Sequence, residues 1–516
     1  MQAVLSRDKK RWASENEGVH ASIPFSQRPN IMILSHEKAF SKANTQLEEM
    51  VEFAIEAAKS GERIDVVERQ LFSRLLGIGH TVLQAFVTGQ GDGDAGPGIE
   101  QNGVALRRLK GRRQRRYLSI FGEITVKRWV YARRAGQKVE HAPLDARLGL
   151  PEGDFSYVLM DWLQQFCVHV SFHEAVAGLR KLLNLAPSER AAEHMNQHLA
   201  KEAEGFQLNQ PPPEPESEGE LLVATADGKG VPMRRPLAEK LPRSSPRRGK
   251  GEKANKKQMA YVGAVYSIDR FKRSAADVVD EVCRKASKAK RPRPCHKQMW
   301  AEMTRHPEDE ATGRERVFVE MAVECQFRDP KHHKKLVCLM DGERALWEMA
   351  GTWLDRAVGV LDLFHVLERL WTAAHCFHGE GSTAAKEFVS HRLQMLLEGK
   401  VGYVIGGLRR LCNSHRLKGE KRRRVAAAIT YYENNREHMR YDEYLKAGYP
   451  IGSGVAEGAC RHLVKDRMER TGMRWTVAGA QAMLHLRALF LNGRWDEFID
   501  HHIQTEQTRL YRKTAA

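Results

Sequence analysis

The chain has 516 residues, with 83 Lys and Arg set against 65 Asp and Glu, a formal net charge of +18. Charge of that sign and size points to a polyanionic partner, nucleic acid first, and a folded chain of this length fits a ribosomal or membrane-surface role poorly. Its eight Cys are scattered without a Cys-x-x-Cys pair, which argues against a zinc ribbon and a disulfide framework. The basic, polar start lacks the apolar core of a signal peptide, and no run reaches the roughly 18 apolar residues of a membrane span. A cytoplasmic or nucleoid location and about three domains of roughly 150 residues are therefore expected.

Residues 1–40 show little periodicity. Leu47, Val51, Ala54, Ile55 and Ala58 recur at helical spacing between Lys42 and Ser60, and Gly61 stops that helix. A second helix is expected over about Ile64–Gln90. The Gly- and Asp-rich tract 91–98 reads as a loop; its Asp-x-Asp resembles part of a calcium loop but lacks the closing Glu. A basic run follows, with Arg107, Arg108, Lys110, Arg112, Arg113, Arg115 and Arg116. It leads into β-branched and aromatic alternation around Gly122-Glu123 that reads as a β-hairpin. Basic side chains there suit phosphate contact, or a solvated edge that blocks aggregation.

Two helical patterns flank 184–188, the second capped by Ser188. They could form a helix-turn-helix that turns His194, Asn196 and Gln197 to a DNA groove, or a plain helix pair. The Pro-rich, acidic stretch 207–220 reads as an extended linker. Strands are expected at Leu221–Ala226, Met259–Ile268, Lys335–Met340 and Val358–Leu361. The basic segments 243–257 and 284–293 read as loops, 314–322 as a helix, and 366–448 as helical throughout. The His and Cys residues His332, His333, His375, Cys376 and His378 fit no tetrahedral zinc spacing.

Three acids carry the chemistry. Asp227 ends one apolar run and precedes Gly228-Lys229-Gly230; Asp341 ends another and precedes Gly342; Glu457 follows the turn Gly452-Ser453-Gly454, where a helix begins. Carboxylates at strand ends and a helix start can converge at a sheet edge. Converging carboxylates stay ionised only beside a cation, and hard oxygen ligands select Mg²⁺ or Mn²⁺. Taken singly, each Asp-Gly is an ordinary turn, and Glu457 an acid favoured by its helix dipole. Arg461 and Lys465 recur at i+4 from Glu457, as surface ion pairs or as phosphate contacts. Trp475 either stacks on an unstacked base or packs in a core.

The order strand-Asp, strand-Asp, helical block, helix-Glu resembles the DDE transposases with a ribonuclease H-like core. The strings Ala226-Asp227-Gly228-Lys229-Gly230-Val231, Met340-Asp341-Gly342-Glu343-Arg344-Ala345-Leu346-Trp347 and Gly452-Ser453-Gly454-Val455-Ala456-Glu457-Gly458-Ala459-Cys460 resemble the ISKra group of insertion-sequence transposases. So do Lys465-Asp466-Arg467-Met468, Gly472-Met473-Arg474-Trp475 and the hairpin with Phe121-Gly122-Glu123. The resemblance spans about 115–490. A Cys-rich zinc knuckle that some relatives carry after the hairpin is missing here.

The resemblance implies an α/β ribonuclease H-like catalytic core with an all-α insertion, behind a mostly helical N-terminal DNA-binding region containing a β-hairpin. The expected divisions are 1–206 for that region, 207–220 for the linker, 221–365 for the first part of the core, 366–448 for the insertion and 449–516 for the last part. It implies Asp227, Asp341 and Glu457 as ligands of two Mg²⁺ or Mn²⁺ ions. Asp362-Leu363-Phe364-His365 fits an Asp-x-x-His pattern of related enzymes, so Asp362 competes with Asp341 as the second ligand. Asp341 is preferred for its Asp-Gly position, with Asp362 and His365 as auxiliary residues; Asp362 could also simply cap a helix. Arg112, Arg113, Arg115, Arg116, Asn196, Gln197, Arg461, Lys465 and Trp475 are the DNA-contacting candidates. The implied partners are terminal inverted repeats and target DNA, with a homodimer or higher. The rivals are a domesticated, non-catalytic DNA-binding protein and a ribonuclease H-like nuclease without strand transfer.

Overall fold

The computed structural model describes residues 36–101, 103–234, 257–283, 290–304, 311–470 and 472–511. The chain divides into two compact units, 1–159 with 506–516, and 160–505. The boundary therefore differs from the expected one near 206. The helices expected to form a helix-turn-helix fall in the second unit, because their apolar faces pack into its core.

The first unit begins with two long helices, α1 (His36–Ser60) and α2 (Ile64–Gly89), reversed at Gly61. Strands β1 (Gly98–Gln101), β2 (Val104–Arg108) and β5 (Tyr131–Ala132) form a small sheet. Strands β3 (Arg113–Ser119) and β4 (Gly122–Arg128) form the expected hairpin, paired from Arg113–Arg128 to Ser119–Gly122. Gly122 leaves the two-residue turn at φ 118°, a conformation open to glycine. Val87 of α2 packs with Ile124 and Val126 of β4 and with Leu144 and Leu150; Leu144 lies on α3 (Pro143–Leu148).

The second unit is built on a mixed five-stranded sheet, β6 (Leu221–Pro232), β7 (Lys257–Ile268), β8 (Cys295–Met303), β9 (Lys335–Met340) and β10 (Val358–Leu361), in the order β10-β9-β6-β7-β8. β6, β9 and β10 run parallel, while β7 is antiparallel to β6 and β8. β8 has no counterpart among the expected strands. The apolar residues of β6 and β9 alternate between two cores, as a pleated strand buried on both faces requires. Leu221, Val223, Val337 and Leu339 share one core; Leu222, Ala224, Cys338 and Met340 share the other. Of the helices before the sheet, α4 (Tyr157–His169) and α5 (Phe172–Leu183) are followed by α6 (Glu189–Leu208), whose Ser188 cap accepts the Ala191 N–H as expected. α7 (Ala275–Val282) packs on the first face; α8 (Gly313–Arg328) and α9 (Arg344–Trp353) cover the second.

The expected all-α insertion is present as α10 (Leu363–Phe377), α11 (Thr383–Leu397), α12 (Val401–Ser414), α13 (Gly419–Asn434) and α14 (Tyr441–Ala447). It is bonded to the sheet rather than hung from it. The hydroxyls of Tyr441 and Tyr444 donate to the carbonyls of Leu361 and Gly359 of β10, and Tyr432 donates to Val366. After the insertion come α15 (Gly454–Ala459), a π-helical turn at Cys460–Lys465, α16 (Asp466–Met468), α17 (Val477–Leu491) and α18 (Trp495–Tyr511).

The stretch 207–220 is not a free linker. Glu218 forms a two-pronged pair with Arg328 at 2.7 and 2.8 Å, both side chains essentially inaccessible. Of the expected basic loops, most of 243–257 and 284–289 lie outside the described residues. No described helix is long and apolar enough to cross a membrane.

Candidate active site

The parallel register brings the two aspartates together. Ala224 of β6 stands opposite Cys338 of β9, so three residues further along each chain come Asp227 and Asp341. Both continue the odd-numbered series of their strands, which places them on the sheet face that carries the helical insertion. Asp227 does not end its strand. β6 runs on to Pro232, held by β7 once β9 has stopped and met at its end by the Trp475 backbone. Gly228 and Gly230 continue the ladder with β7, opposite Tyr261 and Met259.

The charges agree with this proximity. Burial pushes Asp341 above the usual carboxylate range, and the nearby Asp227 and Asp362 carboxylates push the same way, against the Glu343 N–H that Asp341 accepts at 2.9 Å. Burial and the Asp341 carboxylate likewise raise Glu343, an acid beside the site that the sequence motifs do not single out. The Asp-Gly order at 341–342 has a packing reason. A Cβ on Gly342 would stand 2.8 Å from Asn435 Nδ2 and run into the Tyr431 ring of α13.

Asp362 differs from Asp341. It is 1% exposed, and both its oxygens are engaged. One accepts the Ser453 N–H at 2.7 Å; the other lies 2.6 Å from His365 Nδ1 and caps α10. β9 also lies between β6 and β10, so Asp341 rather than Asp362 is on the strand next to Asp227. The Asp362 hydrogen bond, followed by burial that opposes it, leaves His365 with a raised pKa; the Asp341 and Asp227 carboxylates add to the rise.

Glu457 is exposed on the first turn of α15, after the turn that Asp362 holds. Three residues later the buried Cys460 thiol lies near the Asp227 carboxylate. Burial, and after it the charge of Asp227, raises the thiol far above its ordinary value. Glu457 thus stands three residues before a side chain that neighbours Asp227. The helix does not continue regularly: the π-turn at Cys460–Lys465 breaks the i+4 line expected through Glu457, Arg461 and Lys465, although both basic residues are exposed.

Other candidates are placed differently from the sequence expectation. Asn196 is 1% exposed, and its amide donates to Gln164 at 3.0 Å, so it faces the interior and not a groove. Gln197, half-buried on the same helix, lies close to Gly479 of α17. Trp475 is buried; its indole N–H donates to the Met468 carbonyl, and its backbone pairs with Pro232 and Arg234. Arg467, fully buried, lies over its ring at 5.0 Å and donates to the Cys167 carbonyl. The string from Lys465 to Trp475 is therefore a brace for the acidic helix, not a base-stacking platform. Arg115 is mostly buried and pairs with Asp145 at 2.8 Å. Arg112, Arg113 and Arg116 are exposed, Arg116 pairing with Glu123 on the neighbouring strand.

No protein-family model matches the chain, and no curated protein matches it in sequence.

The donor set suits a hard divalent cation. Asp227, Asp341 and Glu457 offer carboxylate oxygens only; burial first, and then the neighbouring Asp227 carboxylate, raises Asp341. Lys229, two residues along β6 from Asp227 and so on its face, is the near ammonium group.

Proposed function

We propose that this chain is a metal-dependent DNA transposase of the DDE type, on a ribonuclease H-like core, that cuts the ends of a DNA element and joins them to target DNA. The observation that carries the reading is the placement of Asp227 and Asp341 on one face of the sheet, just beyond the parallel β6–β9 register, with the Glu457 helix leading into Cys460 beside Asp227. The all-helical block between the second and third acids supports the same reading.

In this reading Asp227, Asp341 and Glu457 hold two Mg²⁺ or Mn²⁺ ions. Such a pair supplies an activated water and charge compensation for the leaving 3′ oxygen of an in-line displacement. The chain's own part is positioning and charge. Asp362 fixes the turn before Glu457, and His365, held by Asp362, brings a cationic edge to the acidic cluster. Lys229, Arg461 and Lys465 offer cations to the DNA backbone around the site. The 3′-OH freed by cleavage can itself attack target phosphorus, so no Ser or Tyr nucleophile is required. The partners are double-stranded DNA with terminal inverted repeats, and target DNA.

The test is cleavage of supercoiled plasmid carrying the DNA that flanks the gene, with Mg²⁺ or Mn²⁺. Wild-type protein should nick or linearise it, and Asp227→Asn, Asp341→Asn and Glu457→Gln should not, while each still retards DNA in a gel. Undiminished cleavage by these variants would overturn the assignment.

A further inference from the structure

The turn from α12 to α13, in the helical insertion, carries positive charge that the described residues leave largely unpaired. Residues 409–424 hold eight Lys and Arg against the single acid Glu420, and all eight are exposed. Arg409 pairs with Glu433, while Arg423 and Arg424 share Glu420. Arg410, Arg416, Lys418, Lys421 and Arg422 pair with no carboxylate among the described residues. Local stability does not explain this run. Lys418 precedes α13 without a side-chain cap, and Lys421 and Arg422 stand within the first four residues of that helix, where the helix dipole disfavours cations. Packing does not explain it either, since the side chains lie on the surface.

The other end of α13 stands at the acids. The Tyr431 ring and the Asn435 amide pack against Gly342, the neighbour of Asp341. Tyr431 comes seven to ten residues after Lys421–Arg424, which is roughly 10–15 Å along the helix, and Lys418 is roughly 20 Å away.

We propose that this basic turn holds the phosphate backbone of the duplex being cut, which reaches the acids along α13. With roughly 3.4 Å between base pairs, the contact falls roughly three to six base pairs from the scissile phosphate. Contacts of this kind position a duplex and carry no sequence information. The proposal rests on the transposase reading for the identity of its partner.

The test is binding of the metal-free full chain to a duplex from the DNA flanking the gene, followed by fluorescence anisotropy over a salt series. A triple variant with Arg410→Ala, Lys421→Ala and Arg422→Ala should bind at least tenfold more weakly. Its log–log salt slope should be flatter by about 2–3, at about 0.9 for each phosphate no longer neutralised. Its circular dichroism and melting temperature should match the wild type. A second triple variant with Arg410→Lys, Lys421→Arg and Arg422→Lys keeps the charge and should bind as the wild type does. Hydroxyl-radical footprints of the alanine variant should lose protection in one short block, roughly three to six base pairs from the wild-type cut. Unchanged affinity and slope overturn the proposal, as does equal loss in the charge-keeping variant or lost protection only elsewhere. So does a loss seen only with RNA, or only in capture of a separate target duplex. A wild type that binds through this turn but never cuts counts against the catalytic reading alone.

Discussion

Asp362 accepts the backbone N–H of Ser453 at 2.7 Å, so the end of β10 holds the turn from which the Glu457 helix starts. The two positions are 91 residues apart, with the whole helical insertion between them. Removing the acceptor leaves a buried N–H unpaired. Asp362→Ala should therefore cost roughly 1–3 kcal/mol in urea unfolding and weaken Mn²⁺ binding. Asp362→Asn keeps an oxygen for Ser453 and should lose less of both. Equal loss in the two variants would show that the charge, not the bond to Ser453, is what matters.

The Arg328–Glu218 pair gives a pH-dependent stability. Burial raises the Glu218 pKa, but Arg328, helped by Ser267 and Lys334, more than offsets it, leaving the group below its ordinary value. A depressed carboxyl stabilises the fold above its unfolded value, about 4.3, and that stability is lost as pH falls through the folded value. Arg328→Met strands a buried carboxylate, a change worth roughly 3–5 kcal/mol. The deficit relative to wild type should be largest at pH 7 and should shrink towards pH 4, where Glu218 takes up a proton. A deficit that does not change with pH would contradict this account.

The arginines at the start of the hairpin should separate into two kinds. Replacing Arg112, Arg113 and Arg116 with Ala should weaken binding to all DNA sequences. It should also flatten the salt dependence, by about 0.9 in log–log slope for each phosphate that is no longer neutralised. Arg115→Ala should leave that slope alone and lower the melting temperature, because Arg115 is committed to Asp145.

Asn196→Ala should lower stability, since it removes the buried partner of Gln164, by roughly 1–3 kcal/mol. It should not change the preference between terminal-repeat and random DNA. A selective loss on the repeats, measured by competition binding, would return Asn196 to a base-reading role.

Much of the second unit is legible in the sequence. The runs before Asp227, Asp341 and Asp362 are continuous and apolar, as strands buried on both faces must be. The face that Asp227 and Asp341 share is not legible, because strands apolar on both faces carry no alternation that fixes their register. β8 is hard to see because only its last five residues, Met299–Met303, are buried, while Cys295, His296 and Lys297 are exposed. Asn196 and Arg115 mislead for one shared reason: polarity suggests a surface, but both satisfy their polar atoms internally with residues about 30 positions away. Trp475 admits two readings, and its packing against Arg467 depends on a chain reversal that no local pattern reveals. The approach of Cys460 to Asp227 gives no sequence signal beyond its three-residue distance from Glu457.

The central claim is that Asp227, Asp341 and Glu457 form one two-metal site. Crystals of the protein soaked in Mn²⁺ and measured at the manganese edge test it most directly. The account predicts two anomalous peaks roughly 4 Å apart among these three carboxylates, both lost in Asp227→Asn. No peak there, or manganese held by Asp362 in place of Asp341, would contradict it.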